Sequence, residues 1–91
     1  MEIKVNIASP LRKATNGNSI VLAKAKTIHE MLLYLRDIYP NLIQMICNSN
    51  MSLKPIVTIY VDDEDISFLE GENTILTEKC TVYIIPMIAG G

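Results

Sequence analysis

The chain has 91 residues, 49% of them hydrophobic and 20% charged, which predicts one ordered domain with a single modest core and excludes a disordered chain. No apolar run approaches the roughly 18 residues of a transmembrane helix, and the N-terminus lacks the apolar segment of a signal peptide, so we expect a cytoplasmic protein without membrane association. Only 5% of the residues are aromatic and the formal net charge is −2, which argues against a nucleic-acid partner.

Two strands are predicted at the start of the chain. Hydrophobic and polar residues alternate over residues 2–8, the pattern of a strand with one buried face. The residues on its buried side are Ile3, Val5 and Ile7. Turn-forming residues follow at 15–18, and a short apolar run at residues 20–23 predicts the second strand. These two strands form a candidate hairpin.

A helix is predicted next, and its start is the clearest signal in the chain. Thr27 and Glu30 form a capping box, in which each side chain satisfies a backbone N–H group at the other's position. Apolar residues then recur at helical spacing on one face, at Ile28, Met31, Leu32, Leu35 and Ile38. Pro40 ends this helix, and residues 41–47 favour a second short helical segment.

The second half of the chain predicts two or three more strands. Residues 56–61 are rich in β-branched residues and are expected to form a central strand. Residues 66–68 are expected to return as a brief strand, and residues 70–73 to turn again. The last strand is expected over residues 80–85, where the pattern alternates, and Pro86 stops it.

This order of elements predicts the fold class. Two strands, one main helix and two or three further strands around one core make an α+β domain, with the helix packed across a mixed sheet of four to five strands. The order β-β-α-β-β is that of the β-grasp, or ubiquitin-like, fold. We expect the domain to cover residues 1–86 and a flexible tail that ends in Gly-Gly to cover residues 87–91.

Few side chains suggest catalysis or metal binding. Cys47 and Cys80 lack a C-x-x-C spacing, so we expect buried or half-buried thiols rather than a disulfide, a zinc site or a redox dithiol. His29 is the only histidine and is expected to be exposed. The acidic run at residues 62–65 lacks the ligand spacing and the glycine of a calcium loop, so a solvated hairpin turn is the better interpretation. We predict no metal, no bound cofactor and no catalytic side chain.

The C-terminal tail offers a different chemistry. Glycine has no Cβ, so Gly90 and Gly91 can pass through a narrow channel and present a terminal carboxylate where a side chain would collide. Fully extended, the five residues after Pro86 reach about 17 Å. A carboxylate is a poor electrophile, so a partner enzyme would first convert it, most simply with ATP to an acyl-adenylate. A sulfur nucleophile could then replace AMP and leave a thiocarboxylate at Gly91.

Docking of this tail would order its residues, at an entropic cost of about 1 to 2 kcal/mol for each. Burial of Met87 and Ile88, at roughly 1.5 to 3 kcal/mol each, would offset that cost together with backbone hydrogen bonds to a partner's edge strand. The predicted docking segment is therefore Met87, Ile88, Ala89 and Gly90.

The chain resembles the ThiS/MoaD family of ubiquitin-like sulfur carriers, which share a C-terminal apolar strand, a proline and a terminal Gly-Gly. Within that family it is most similar to the carriers that serve cysteine synthase-like enzymes. The segments that carry the resemblance are Pro10-Leu11-Arg12 with Thr15 and Gly17, then residues 59–66, then Ile85-Pro86-Met87-Ile88-Ala89-Gly90-Gly91.

The resemblance implies a set of partners. Gly91 would be activated by an E1-like adenylating enzyme that uses ATP, and would become a thiocarboxylate. The sulfur would pass to a PLP-dependent cysteine synthase-like enzyme, and a metalloprotease would release the product. The first and last strands would lie side by side in the centre of the sheet.

Other functions share the same activated tail. The chain could be the small subunit of a molybdopterin synthase or a thiamin-type carrier. A ubiquitin-like modifier would instead join Gly91 to lysine side chains of other proteins. A plain interaction domain with an inert terminus is the third class, and it would keep its function without Gly90 and Gly91.

A partner surface is also predicted from aromatic residues that are expected to lie outside the core face. Tyr60, Phe68 and Tyr83 either form a patch for a partner or cover the second side of the sheet. Arg12 matches a family position but is also interpretable as a solvated loop residue. Charge is uneven as well, because residues 1–54 hold seven Lys/Arg and three Asp/Glu, whereas residues 55–91 hold one and seven. This gradient can steer a basic partner unless the folded sheet interleaves the two halves.

Overall fold

The structure is a computed structural model, and residues 2–87 of it are described. These residues form one five-stranded sheet, two α-helices and three short 3-10 helices. The strands are β1 (Glu2–Ile7), β2 (Ile20–Lys24), β3 (Val57–Val61), β4 (Glu64–Asp65) and β5 (Thr81–Pro86). The α-helices are α1 (Ile28–Ile38) and α2 (Pro40–Ile46), and the 3-10 helices are Ser9–Thr15, Ile66–Phe68 and Gly71–Asn73.

The sheet has the order β2-β1-β5-β3-β4, with β1 and β5 parallel and every other pair antiparallel. The predicted α+β class, the β-grasp order and the central position of the first and last strands are therefore confirmed. Because β5 lies in the middle of the sheet, the strand that leads into the C-terminal tail is supported on both sides.

One face of the sheet packs against the helices and forms the core. The predicted alternation is confirmed in β1, β3 and β5, since the inward residues are buried and their neighbours are more exposed. The inward residues of the sheet are Ile3, Val5, Ile7, Val21, Ala23, Val57, Ile59, Val82 and Ile84. The opposite, outer face carries the remaining strand residues. None of the helices within residues 2–87 is long and apolar enough to cross a membrane.

Helix α1 begins where the capping pattern predicted. The Thr27 hydroxyl oxygen accepts a hydrogen bond from the Glu30 N–H at 3.1 Å. The Glu30 carboxylate reaches one residue further back than in a standard capping box and accepts from the Lys26 N–H at 3.0 Å. The Ile28 N–H has no acceptor within the helix and donates instead to the Thr74 carbonyl at 3.2 Å. The helix start is therefore also fixed to the loop before β5.

The predicted apolar stripe of α1 is correct at four positions and wrong at the fifth. The fully buried residues are Ile28, Met31, Leu32 and Leu35. Ile38 is 47% exposed. Ile38 lies ten residues after Ile28, which places it about 80° around the helix axis from Ile28. Ile38 therefore lies at the margin of the buried stripe and at the helix end.

The region after β3 differs from the prediction. Asp62 has a φ of 55°, and Asp62 and Asp63 form a tight turn, so that pairing resumes at once and Val61 faces Glu64. The strand is therefore Glu64–Asp65, and Ile66–Phe68, predicted as a strand, is a 3-10 helix. The cause is local, because the Asp65 carboxylate accepts from the Ser67 N–H at 2.8 Å and caps that turn.

Strand β3 is only partly central. It pairs with β5 over its whole length, whereas β4 covers only Tyr60 and Val61, so the first half of β3 lies at the sheet edge.

The segment between β1 and β2 also differs from a plain loop, since Ser9–Thr15 is a 3-10 helix. Its end is held by the buried Thr15 hydroxyl, which donates to the Asn18 carbonyl at 2.8 Å.

Candidate functional site

The root of the C-terminal tail is the end of β5, and it is held by both neighbouring strands. On one side the Ala8 N–H donates to the Ile84 carbonyl at 3.3 Å. On the other side the Met87 N–H donates to the Ile56 carbonyl at 2.6 Å, one residue beyond the end of β5. The backbone of the tail root is thus fixed to the sheet as far as Met87.

Pro86 fits the end of a central strand because its missing N–H falls where no ladder bond is lost. Backbone groups of successive residues point alternately to the two neighbours, so position 86 points toward β1, as Ile84 does. Strand β1 has already ended there, and the next carbonyl, that of Ala8, accepts from the Leu11 N–H at 2.9 Å. The prediction that Pro86 ends the strand is confirmed.

Apolar side chains surround the tail root and are open to solvent. Met87 is 66% exposed, Ile56 is 53% exposed and Ile85 is 41% exposed. An enzyme that takes up the tail could bury all three. The other predicted tail residues, Ile88, Ala89, Gly90 and Gly91, lie outside the described residues, so their roles in docking and reaction stay predictions.

The three predicted aromatic residues lie together on the outer side of the sheet. Tyr60 of β3 faces Tyr83 of β5 directly across the strand pair, and both are half-buried. Phe68 is 85% exposed and lines a cleft of about 310 Å³ with Tyr60. The tyrosines therefore cover part of the outer face, whereas Phe68 is a free surface residue. Their contact with a partner stays a prediction.

Arg12 does not join that group. It lies in the 3-10 helix after β1, is half-buried, and its Nε donates to the Ile7 carbonyl at 3.0 Å. This bond fixes the connection between β1 and β2, so Arg12 is neither a freely solvated loop residue nor part of the aromatic cleft. Its role toward a partner is untested.

The acidic residues of the β3–β4 hairpin divide into two kinds, which the sequence did not reveal. The Asp62 carboxylate accepts from the Thr81 N–H at 3.0 Å and so joins the hairpin to the start of β5. Asp65 caps the following 3-10 helix. Asp63 and Glu64 are exposed, and within residues 2–87 their side chains form neither a hydrogen bond nor an ion pair. The sequence did contain one signal for the cap on the 3-10 helix, which is the position of Asp65 two residues before Ser67.

Charge remains separated in space. Strand β5 carries no charged side chain and lies between the β1–β2 pair and the acidic β3–β4 hairpin. The folded sheet therefore does not interleave the two halves of the chain, and the acidic residues 62–65 form one edge of the molecule.

Both cysteines are buried, and the histidine lies beside a carboxylate. Cys47 and Cys80 are buried and free, as predicted. Burial raises the pKa of Cys47 to about 11, with a smaller contribution from the nearby Glu72 carboxylate. His29 is half exposed and lies 3.4 Å from the Glu72 carboxylate through its Nδ1. In the part of the chain from residue 2 to 87, no three His, Cys, Asp or Glu side chains are close enough to hold a metal ion.

Comparison with known proteins identifies the family of the chain. The model of the ThiS family matches residues 5–91, which include the tail. The chain belongs to the ThiS family. Along its full length it is 31% identical, over 93 aligned residues, to the sulfur carrier protein CysO of Mycobacterium tuberculosis, and the alignment covers all of both chains.

Solved structures agree with this assignment and with the ubiquitin-like β-grasp fold. The CysO structure from the BexX/CysO complex of Amycolatopsis orientalis matches with a TM-score of 0.88 and 28% identity, over 98% of this chain and 99% of that chain. The small archaeal modifier protein 1, SAMP1, from Methanosarcina acetivorans matches with a TM-score of 0.84 and 29% identity, over 99% and 96% of the two chains. The similar proteins thus include some named as sulfur carriers and some named as protein modifiers.

Proposed function

We propose that the chain is a sulfur carrier whose reactive group is the C-terminal carboxylate of Gly91. The observation that supports this most strongly is the position of the tail root. The central strand of the sheet leads into the tail, and the last described backbone bond, from Met87 to Ile56, anchors it four residues before Gly91. Four extended residues span about 14 Å, so an enzyme could act on the carboxylate while the folded domain stays outside its active site.

The reaction would begin with an E1-like adenylating enzyme. The Gly91 carboxylate attacks the α-phosphate of ATP, pyrophosphate leaves, and the acyl-adenylate becomes an electrophile. A sulfide-level sulfur nucleophile then attacks the acyl carbon and expels AMP, which leaves the thiocarboxylate. In this proposal ATP and the catalytic side chains belong to the partner enzyme, and the carrier supplies only the carboxylate of Gly91.

The described part of the tail can contribute to docking. Met87 exposes 66% of its surface, and its burial would stabilise the complex by up to about 1.5 to 3 kcal/mol. Because the Met87 backbone is already fixed to β3, ordering it costs less than ordering a free residue. Ile88, Ala89 and Gly90 would follow it into the channel, with the glycine supplying the narrowest section.

The acceptor we propose is a PLP-dependent cysteine synthase-like enzyme. The full-length similarity to CysO favours this acceptor over a molybdopterin or thiamin pathway. The thiocarboxylate sulfur would displace a leaving group from the acceptor enzyme's substrate and so form a thioester, and the acyl group would then move from that sulfur to the amino group of the product. A metalloprotease would hydrolyse the resulting amide, which releases the product and regenerates the Gly91 carboxylate.

A second candidate is protein modification, which the similarity to SAMP1 favours. Activation would be shared, but the acyl group of Gly91 would end on a lysine Nζ of another protein. An immunoblot of cell lysate against the domain distinguishes the two functions. A ladder of high-mass conjugates that needs Gly91 supports modification, whereas a single small band supports the carrier.

The decisive experiment is mass spectrometry of the protein with its native C-terminus, incubated with the activating enzyme, ATP and a sulfide source. We expect one oxygen of Gly91 to be replaced by sulfur. Methionine oxidation gives almost the same nominal mass, and exposed Met87 would place that mass in the C-terminal fragment. The Met87→Leu variant removes this ambiguity. A C-terminal fragment of Met87→Leu without the mass increase would contradict the proposal.

Alkylation gives an independent readout. At pH 8 the thiocarboxylate is ionised and reacts, whereas Cys47, with its pKa raised to about 11 by burial, stays a protonated thiol in the folded protein. We expect label on the C-terminal fragment of the native protein, and additional label on the cysteines only after unfolding. A variant that lacks Gly91 is the control and should show no ATP-dependent label.

A further inference from the structure

The β3–β4 hairpin and the turn after it present a surface that neither the tail nor the core explains. We define the hairpin patch as Tyr60, Asp63, Glu64 and Phe68, which line one cleft of about 310 Å³ together with Asp65. We propose that the hairpin patch docks a basic, arginine-bearing segment of the enzyme that adenylates Gly91. The proposal rests on the proposed function and adds a second contact, away from the tail.

Phe68 is the main argument for a contact. It is 85% exposed, more than any other large hydrophobic side chain among residues 2–87. Its backbone is not a loose loop, because the neighbouring Ile66 is buried and the Leu69 N–H donates to the Ile66 carbonyl at 3.0 Å. The protein therefore holds this ring in water on a fixed 3-10 helix, next to the half-buried Tyr60. Partner surfaces are enriched in such rings.

The charges around the rings define the partner. Asp62 and Asp65 are used within the fold, on the Thr81 and Ser67 N–H groups. Asp63 and Glu64 have no such use in the described chain, and no Lys or Arg lines the cleft. An apolar partner would remove these two carboxylates from water without compensation, which is unfavourable.

A guanidinium group matches both features of the hairpin patch. It stacks on an aromatic face and at the same time donates hydrogen bonds to a carboxylate, which a lysine ammonium does with less directional fit. A nucleic acid would be repelled by the same carboxylates. The patch therefore fits a protein surface that carries arginine beside apolar residues.

The position of the patch fits a contact that assists binding rather than chemistry. Asp62 contacts Thr81 at the first residue of β5, whereas the tail leaves after Pro86, the last residue. At about 3.3 Å per residue the two ends are roughly 17 Å apart. The adenylating enzyme must hold the carrier through two successive reactions, so a second contact outside its active site would keep the tail in place.

The test is the ATP–pyrophosphate exchange catalysed by the organism's own activating enzyme, with the carrier as varied substrate. We expect Phe68→Ala to raise KM for the carrier about tenfold with little change in kcat, as for an aromatic interface residue. The double variant Asp63→Asn, Glu64→Gln should raise KM about fivefold at low salt, and this effect should shrink at high ionic strength.

Matched controls use exposed residues elsewhere on the surface. Ile75→Ala removes a side chain that is 69% exposed, and Asp37→Asn removes one exposed carboxylate at the end of α1. Both should leave KM unchanged, and thermal melting should show that all variants fold. An unchanged KM for Phe68→Ala, or an equal rise for the controls, would overturn the inference. If wild-type carrier is not adenylated at all, the proposed function fails as well.

Discussion

The two ends of β5 are built differently, although they belong to the same six-residue strand. At the first residue, Thr81 exchanges two hydrogen bonds with Asp62, one with its backbone and one with its side chain. At the last residue, Pro86 leads to Met87, which has one backbone bond and a side chain open to solvent. The first end of the strand is therefore tied to the β3–β4 hairpin by a side chain as well as by the backbone, whereas the second end has only backbone bonds and leads into the segment that we propose to be reactive.

The largest effect expected from this division is at Gly90. The Gly90→Val substitution places a branched side chain in the segment that we propose to enter the activating enzyme, and a displacement of about 1 Å can lower a rate by roughly 100-fold. We expect at least that loss of thiocarboxylate formation, measured by mass spectrometry, with the thermal midpoint unchanged.

Gly71 is the matched control for Gly90. It has a φ of 57° in the turn before β5, a conformation that other residues rarely adopt. Gly71→Ala should therefore lower the free energy of unfolding by about 1 kcal/mol and leave the activation rate unchanged. If Gly90→Val lowered the free energy of unfolding as Gly71→Ala does, its effect on activation could not be separated from an effect on the fold.

The next largest effect contrasts two adjacent isoleucines of β5. Ile84 is fully buried against the helices, whereas Ile85 points to the outer face and is 41% exposed. We expect Ile84→Ala to reduce the free energy of unfolding by about 2 to 5 kcal/mol, through lost burial and a cavity. Ile85→Ala should cost less than about 1 kcal/mol. Urea unfolding of both variants measures the difference, and equal losses would show that the outer face is not a free surface.

The side-chain bond at the start of β5 should have a smaller effect. Asp62→Ala removes the acceptor for the Thr81 N–H and places alanine at a φ of 55°, so we expect a loss of about 1 to 2 kcal/mol. Asp62→Asn keeps the acceptor and tolerates that φ, and should recover most of the loss. Asp63→Ala, in the same turn but without a bond, should stay within about 0.5 kcal/mol. Identical urea midpoints for Asp62→Ala and Asp63→Ala would count against the bond.

The elements that could be predicted from the sequence are those determined by local patterns. Alternation in β1 and β5 follows from one buried face, and the Thr27 cap follows from two residues three positions apart. The chemistry proposed for the tail depends on Gly90 and Gly91, which lie outside the described residues, so it stays a prediction. The sheet order could not be predicted from local patterns, because the parallel pairing of the first and last strands is a long-range contact and entered only through the family resemblance.

The hairpin region could not be predicted for a related reason. Asp62 adopts a positive φ and contacts Thr81, 19 residues later, and neither fact is visible in a run of four acidic residues. The apolar residues at 66–68 suggested a strand, but the Asp65 cap turns them into a 3-10 helix and leaves Phe68 in solvent. The free pair Asp63 and Glu64 became distinguishable only once the bonds of their neighbours were known.

The smallest expected effect is at the tail end of β5, where Pro86→Ala replaces a residue that has no N–H by one that has it. The new N–H would point toward β1, but the Ala8 carbonyl there already accepts from Leu11. We therefore expect at most a weak, shared bond in the folded sheet, while the unfolded chain gains freedom, and the free energy of unfolding should fall by about 0.4 to 1 kcal/mol. Pro55→Ala, at an exposed turn before β3, is the control for the unfolded-state contribution and should give a similar loss in urea unfolding. Greater stability of Pro86→Ala would mean that residue 86 finds an acceptor on β1, and that the tail root is held more tightly on that side than the bonds of Ala8 indicate.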